Sequence, residues 1–135
     1  MLSRRIFAGC ALCAVTLSGL SEAQAQAAPG GLSRKVLSST DMPGGKLACV
    51  EVLAEIDPGF QVARHTHPGV ESAYVLEGSM TLSVKDQPDR ALKAGDFYQV
   101  AAEVPHAAVN GSAKTRILAT YTVEKDKPLA SPAPA

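Results

Sequence analysis

The sequence predicts an all-β domain, an antiparallel sandwich or barrel, and three observations carry that expectation. Apolar and polar residues alternate with period two over short stretches, as in Met80, Leu82 and Val84 against Ser79, Thr81 and Ser83. Eleven Gly and nine Pro punctuate the chain at close spacing, which favours short strands over long helices. Beyond residue 30 no useful length of helical periodicity appears, and strands do not alternate with helices as a parallel sheet requires.

The first residues read as an address rather than as part of the fold. Arg4 and Arg5 form a charged n-region, and residues 6–20 are an apolar run too short to span a bilayer. Ala23-Gln24-Ala25 and Ala25-Gln26-Ala27 then offer small-residue cleavage sites. Residues 1–27 are expected to be a cleavable export signal. It is either of the ordinary secretory kind or, through Ser3-Arg4-Arg5-Ile6-Phe7, of the twin-arginine kind. The mature protein is then periplasmic or secreted, with no stable membrane insertion. Cys10 and Cys13 fall inside the apolar run and read as its small hydrophobes. Cys49 is left alone in the mature chain, without an internal disulfide partner, and is expected as a buried core thiol.

The strands follow in order. Residues 35–40 form a weak first strand, closed by the turn 41–45. Residues 47–56, rich in Val, Leu and Ile, form a longer one, and Asp57-Pro58-Gly59 turns the chain. Residues 60–66 and 71–76 are strands separated by Pro68-Gly69. Glu77-Gly78 is a hairpin turn into residues 79–84. Short strands are expected at 90–92, 97–101 and 106–109, with Asp96 as a turn residue, and residues 115–123 complete a set of about nine. The barrel is expected over 32–125, and residues 126–135 form a flexible Pro/Ala tail with little to bury.

Charge and composition exclude several partners. Thirteen Lys and Arg balance thirteen Asp and Glu, so there is no basic surface for nucleic acid or anionic membrane. Aromatics are 4% with no Trp, which removes the usual platforms for stacking bases.

The chemistry gathers in His65-Thr66-His67. Residues i and i+2 of a strand share a face, so both imidazoles project together and can converge on one ion. Glu71 lies four residues on, beyond the Pro68-Gly69 bend, and can bring a carboxylate to the same point. His106, after Pro105, is the third and last histidine of the chain. Three neutral imidazoles and a carboxylate suit a divalent first-row metal and leave open positions for water, substrate or O₂.

These residues resemble the cupins. Gly59, five residues, His65-x-His67, three residues, Glu71, six residues and Gly78 match the first signature motif of that family without a gap. Gly95, ten residues, His106, three residues and Asn110 resemble the second. The second motif departs from the family where a Pro and a Gly are usual, since Ala101 and Glu103 stand there. The resemblance implies a single small jelly-roll β-barrel with His65, His67, Glu71 and His106 as metal ligands, for Fe, Mn, Ni, Cu or Zn. Cupins are often dimers, and a homodimer is expected.

Counting by twos from His65 places Ala63 and Gln61 inward, with Val62 and Phe60 outward. Ala73 and Val75 share the Glu71 face, and Tyr74 points away. Ile117, Ala119, Tyr121 and Val123 form one apolar stripe. Tyr121 is either a core aromatic or a hydroxyl placed as an acid or base near the metal, and Glu71 could itself shuttle a proton. Some cupin lyases carry a tyrosine where this chain has Ala73, which weighs against such a lyase. With no inward cluster of Arg or Lys apparent, a neutral or phenolic small molecule is the expected ligand. Three functions follow: an exported metal-dependent dioxygenase, a non-catalytic small-molecule binding or sensing module, and a Lewis-acid lyase or isomerase.

Overall fold

The computed structural model describes residues 31–134. The expected export signal, with Cys10 and Cys13, lies outside the described residues. Two antiparallel sheets of five strands face each other. The first contains β1 (Leu32–Asp41), β2 (Leu47–Ile56), β4 (Gly69–Glu77), β7 (Phe97–Val100) and β9 (Thr115–Glu124), in the order β1-β2-β9-β4-β7. The second contains β3 (Gln61–Thr66), β5 (Ser79–Val84), β6 (Arg90–Lys93), β8 (His106–Asn110) and β10 (Ser131–Pro132), in the order β10-β3-β8-β5-β6. This is the jelly-roll expected of the sequence.

The core lies between the sheets and follows the period-two pattern. β9 alternates buried and half-buried residues along its length, sending Ile117, Ala119, Tyr121 and Val123 inward. Val52 and Val75 are fully buried opposite Met80 and Leu82 of the second sheet. Burial of a side chain of this size is worth about 1.5–3 kcal/mol each, so the two inner faces together hold the sheets in contact. Gly78 is required where the β4–β5 hairpin turns. Its φ is +81°, and a Cβ there would meet the Thr115 hydroxyl and the Lys114 carbonyl.

Three expectations are corrected. The counting along β3 fails because a β-bulge falls between Val62 and His65. An extra residue reverses the alternation, so Val62 shares the inward side with His65 while Gln61 and Ala63 are exposed. The tail is docked rather than loose: Ser131 and Pro132 pair with Thr66 and His65, and the Ala133 amide donates to the Arg64 carbonyl. Backbone hydrogen bonds hold this segment, so a composition of Pro and Ala does not set it free. Cys49 is half-buried, and Ala48 and Val50 flank it on the strand side that packs inward.

Candidate metal centre

β3 and β8 bring His65 and His106 directly opposite one another, and His67 follows at the end of β3. The ligand-capable nitrogens of the three imidazoles lie within 4.8 Å of one another. Glu71 reaches them from β4 of the other sheet. Its Oε2 is 3.2 Å from Nε2 of His67 and 3.1 Å from Nε2 of His106. His67, Glu71 and His106 are buried, and His65 is half-buried.

The tautomers follow from the other ring nitrogens. Nδ1 of His65 donates to the Ala63 carbonyl at 2.7 Å, Nδ1 of His67 to the Leu129 carbonyl at 2.6 Å, and Nδ1 of His106 to the Val104 carbonyl at 2.9 Å. A carbonyl only accepts, so each Nδ1 carries a hydrogen and each ring turns its Nε2 inward. Two of those Nε2 atoms face one carboxylate oxygen, and that of His106 is hydrogen-bonded to it. Such a contact is favourable only with positive charge at the site, from a ring proton or a bound cation. Nε2 of His67 is buried without a hydrogen-bond partner.

The electrostatics agree. Burial pushes His65 down to about 4, helped by the neighbouring His106 and His67, so its ring is neutral at ordinary pH. Burial alone would raise the Glu71 carboxyl, but hydrogen bonding and positive charge at His106 and His67 more than offset it and keep Glu71 ionised. A divalent metal held by these side chains would supply positive charge at the same point. Metal bonds of about 2.1 Å at right angles place donor atoms about 3 Å apart, which is the spacing of Glu71 from His67 and His106. The donor set therefore fits a divalent metal, and outer carbonyls orient each ring as metal-binding histidines require.

Two phenols complete the centre. The Tyr98 hydroxyl donates to Oε1 of Glu71 at 3.0 Å, and the Tyr121 hydroxyl donates to the same oxygen at 3.3 Å. Burial, and then the charge of Glu71, raises both phenols well above their ordinary value, so both stay protonated. Tyr121 was anticipated, as either a core aromatic or a hydroxyl near the metal; it is a buried aromatic whose hydroxyl reaches Glu71. Tyr98 was not. It lies on β7 directly opposite Ala73, and its ring extends over that small residue toward Glu71. Period two puts Tyr98 and Phe97 on opposite faces, and two adjacent aromatics leave the inward one undetermined by type. Only Phe97 at 54% exposed against Tyr98 at 5% decides it.

A cavity of about 40 Å³ opens beside these groups. Leu32, Ile56, Val62, Leu82 and Ile117 line it, as does Arg34 of β1. No inward cluster of Arg or Lys was expected from the sequence, and Arg34 is the single cation that lines this cavity. Leu32, Arg34 and Val36 share the inner side of β1, and a charged residue between two apolar ones reads in sequence as an outward break.

The loop before His106 takes its shape without the usual Pro and Gly. Glu103 adopts a left-handed backbone with φ of +61°, and its amide donates to the His67 carbonyl. A side chain in that conformation costs about 1–2 kcal/mol.

Comparison with known proteins places these features. The family model for the Cupin domain matches residues 52–121. Among solved structures, KdgF from Halomonas sp. superposes with a TM-score of 0.63 at 21% identity, over 76% of this chain and 88% of that one. An RmlC-like cupin from Shewanella frigidimarina gives 0.60 at 26% identity, over 81% and 91%. The DMSP lyase DddQ from Ruegeria pomeroyi gives 0.64 at 20% identity, over 76% of this chain and 52% of the lyase. No curated protein matches the sequence.

Proposed function

This chain belongs to the cupin family, and from that premise we propose that it is an exported protein that binds one divalent transition metal through His65, His67, Glu71 and His106 and acts on a small molecule inside the barrel. The observation that carries the reading is the inward convergence of ring nitrogens on one carboxylate. Two buried Nε2 atoms lie 3.2 and 3.1 Å from one carboxylate oxygen, with every Nδ1 committed to a carbonyl.

A bound metal would supply Lewis-acid polarisation of a ligand oxygen or, for a redox-active ion, electrons for O₂ chemistry. The chain's own groups favour the first. Tyr98 and Tyr121 are buried and hold protons beside Glu71, which suits proton transfer to a leaving group or a rearranging substrate. Tyr98 occupies the place that Ala73 leaves empty, so the objection to a lyase drawn from Ala73 lapses. A lyase or isomerase is therefore the leading class. A dioxygenase is the second reading, favoured by the mostly aliphatic cavity wall.

Elemental analysis of protein purified without chelator tests the centre, with one metal per chain as the expected result. A chain that holds none and takes up none on titration overturns it. Turnover that persists with zinc identifies Lewis-acid chemistry, and turnover that needs Fe, Mn or Cu together with O₂ identifies the dioxygenase. Saturable binding without turnover identifies a binding module.

The homodimer also stands as part of this proposal. Leu53, Leu118, Tyr74 and Phe97 lie in register across β2, β9, β4 and β7, on the outer face of the first sheet. Tyr74 and Phe97 are 46% and 54% exposed beside an open strand edge. A monomer by light scattering at micromolar concentration rejects the pairing.

A further inference from the structure

We infer that Arg34 is an anion-recognition residue at the mouth of the metal cavity, and that the small molecule of this site carries a carboxylate. The inference rests on the metal-centre reading and narrows its substrate class.

Arg34 lines the inner cavity together with His65, Glu71, Tyr98 and Tyr121. It also lines a wider groove on the outside, walled by Phe60, Gln61 and the docked residues 130–132. Leu32, Arg34, Val62 and His65 are common to both spaces, so the guanidinium stands where one passes into the other. Its charge is felt inside, because it works against Glu71 on both phenols.

Five other cations of the described residues are matched, while Lys35, Lys46, Arg64, Lys85 and Arg90 are no more paired than Arg34, which alone of the cations lines the inner cavity. Lys93, Lys114, Arg116, Lys125 and Lys127 each lie against a carboxylate. Among the described residues no such ion pair includes Arg34. It is half-buried, between the inward side chains Leu32 and Val36, where an aliphatic residue would complete the apolar wall. A guanidinium partly withdrawn from water without a counter-charge is unfavourable, and an incoming carboxylate restores the balance with two parallel hydrogen bonds. The metal centre adds to the pull. A divalent ion with Glu71 as its one anionic ligand keeps a net positive charge, and Arg34 adds a second. The inner space holds about three waters, so a short acid fits, with its chain in the aliphatic part of the cavity.

The test is a calorimetric titration with acetate, propionate and butyrate and with their primary amides, at low salt. Wild type, Arg34→Gln and Arg34→Lys are compared, each with metal content and melting temperature measured. Wild type is expected to bind an acid at least about tenfold tighter than the matching amide, as charge-assisted hydrogen bonds allow. Arg34→Gln should lose that preference with metal content and amide affinity unchanged, and Arg34→Lys should keep part of it. Equal binding of acid and amide by wild type overturns the inference. So does a preference that survives in Arg34→Gln, which would mean that the metal alone holds the acid, or the absence of any saturable acid binding. The same series on metal-stripped protein separates the two readings. A preference that remains there and depends on Arg34 stands even if no metal centre forms, and a metal-loaded chain indifferent to acids sinks this inference alone.

Discussion

β8 is five residues long, and its two ends carry the buried polar side chains His106 and Asn110, 3% and 5% exposed. Both face inward, four residues apart on one strand. Asn110 turns its amide hydrogens to main chain. Nδ2 lies 2.9 Å from the Ile56 carbonyl, 2.7 Å from that of Asp57 and 3.0 Å from that of Ala113. It thereby ties the end of β2, the turn after it and the loop after β8 to one point. His106 gives only its Nδ1 hydrogen to main chain and turns Nε2 toward Glu71 in the cavity. Burial is the same at both ends, so burial does not separate framework from chemistry. The target of the polar atoms does. Side chains that hydrogen-bond the backbone hold the fold, and those that face other polar side chains without a matching donor leave room for a ligand.

Breaking each end should therefore break a different property. His106→Ala is expected to weaken metal binding by more than about 100-fold, beyond the range of outer-shell changes. The melting temperature in chelator should fall by less than in Asn110→Ala, because His106 makes one bond to main chain where Asn110 makes three. Metal titration and a thermal melt check the two halves separately. Asn110→Ala should do the reverse. Loss of its donors leaves main-chain carbonyls unpaired and costs about 2–3 kcal/mol, while protein that remains folded binds metal with unchanged affinity. If both variants lose metal and stability in equal measure, the contrast between the ends of β8 is wrong.

The comparison extends to His67, whose Nδ1 acceptor lies in the C-terminal segment. Truncation after Asp126 removes Leu129 and should lower metal affinity about 10–100-fold, as the loss of an outer-shell partner does, with all four candidate ligands still present. His65 gives a pH dependence. Its folded value is lowered to about 4 from 6.5, so the unfolded chain binds its proton first as the pH falls. Its contribution to metal-free stability is complete above about pH 6.5 and is lost as the pH falls toward 4. It amounts to about 1–2 kcal/mol once partial exposure is discounted. Melting temperatures across that window, flatter for His65→Ala, would show it. The smallest effect belongs to the loop before His106. Glu103→Gly relieves a left-handed backbone and should stabilise the fold by about 1 kcal/mol without changing metal affinity.

Much of the architecture is legible in the residues because the period of two is strict where a sheet has one wet face. β2 runs over 47–56 as expected, and β9 differs from expectation only at Glu124. The candidate ligands were legible for another reason: spacing on strands converts directly into position, so His65, His67, Glu71 and His106 come together. What stayed hidden depends on main chain. The bulge between Val62 and His65 changes a phase without changing a residue type. β10 is held by backbone pairing that Pro and Ala do not announce. Tyr98 and Arg34 were missed because each stands beside a neighbour that argues as well for the opposite face.

The Leu129 contact also has a consequence in time. The four candidate ligands are all in place in the chain by residue 106, yet the carbonyl that fixes His67 comes 62 residues after it. During synthesis the barrel can begin to assemble with three oriented histidines reduced to two, His65 and His106, whose acceptors are each two residues away. Closing a loop of 62 residues is slow compared with such local contacts. The His67 contact is thus the longest-range of the three, and the pocket is complete only once the C-terminal segment has docked.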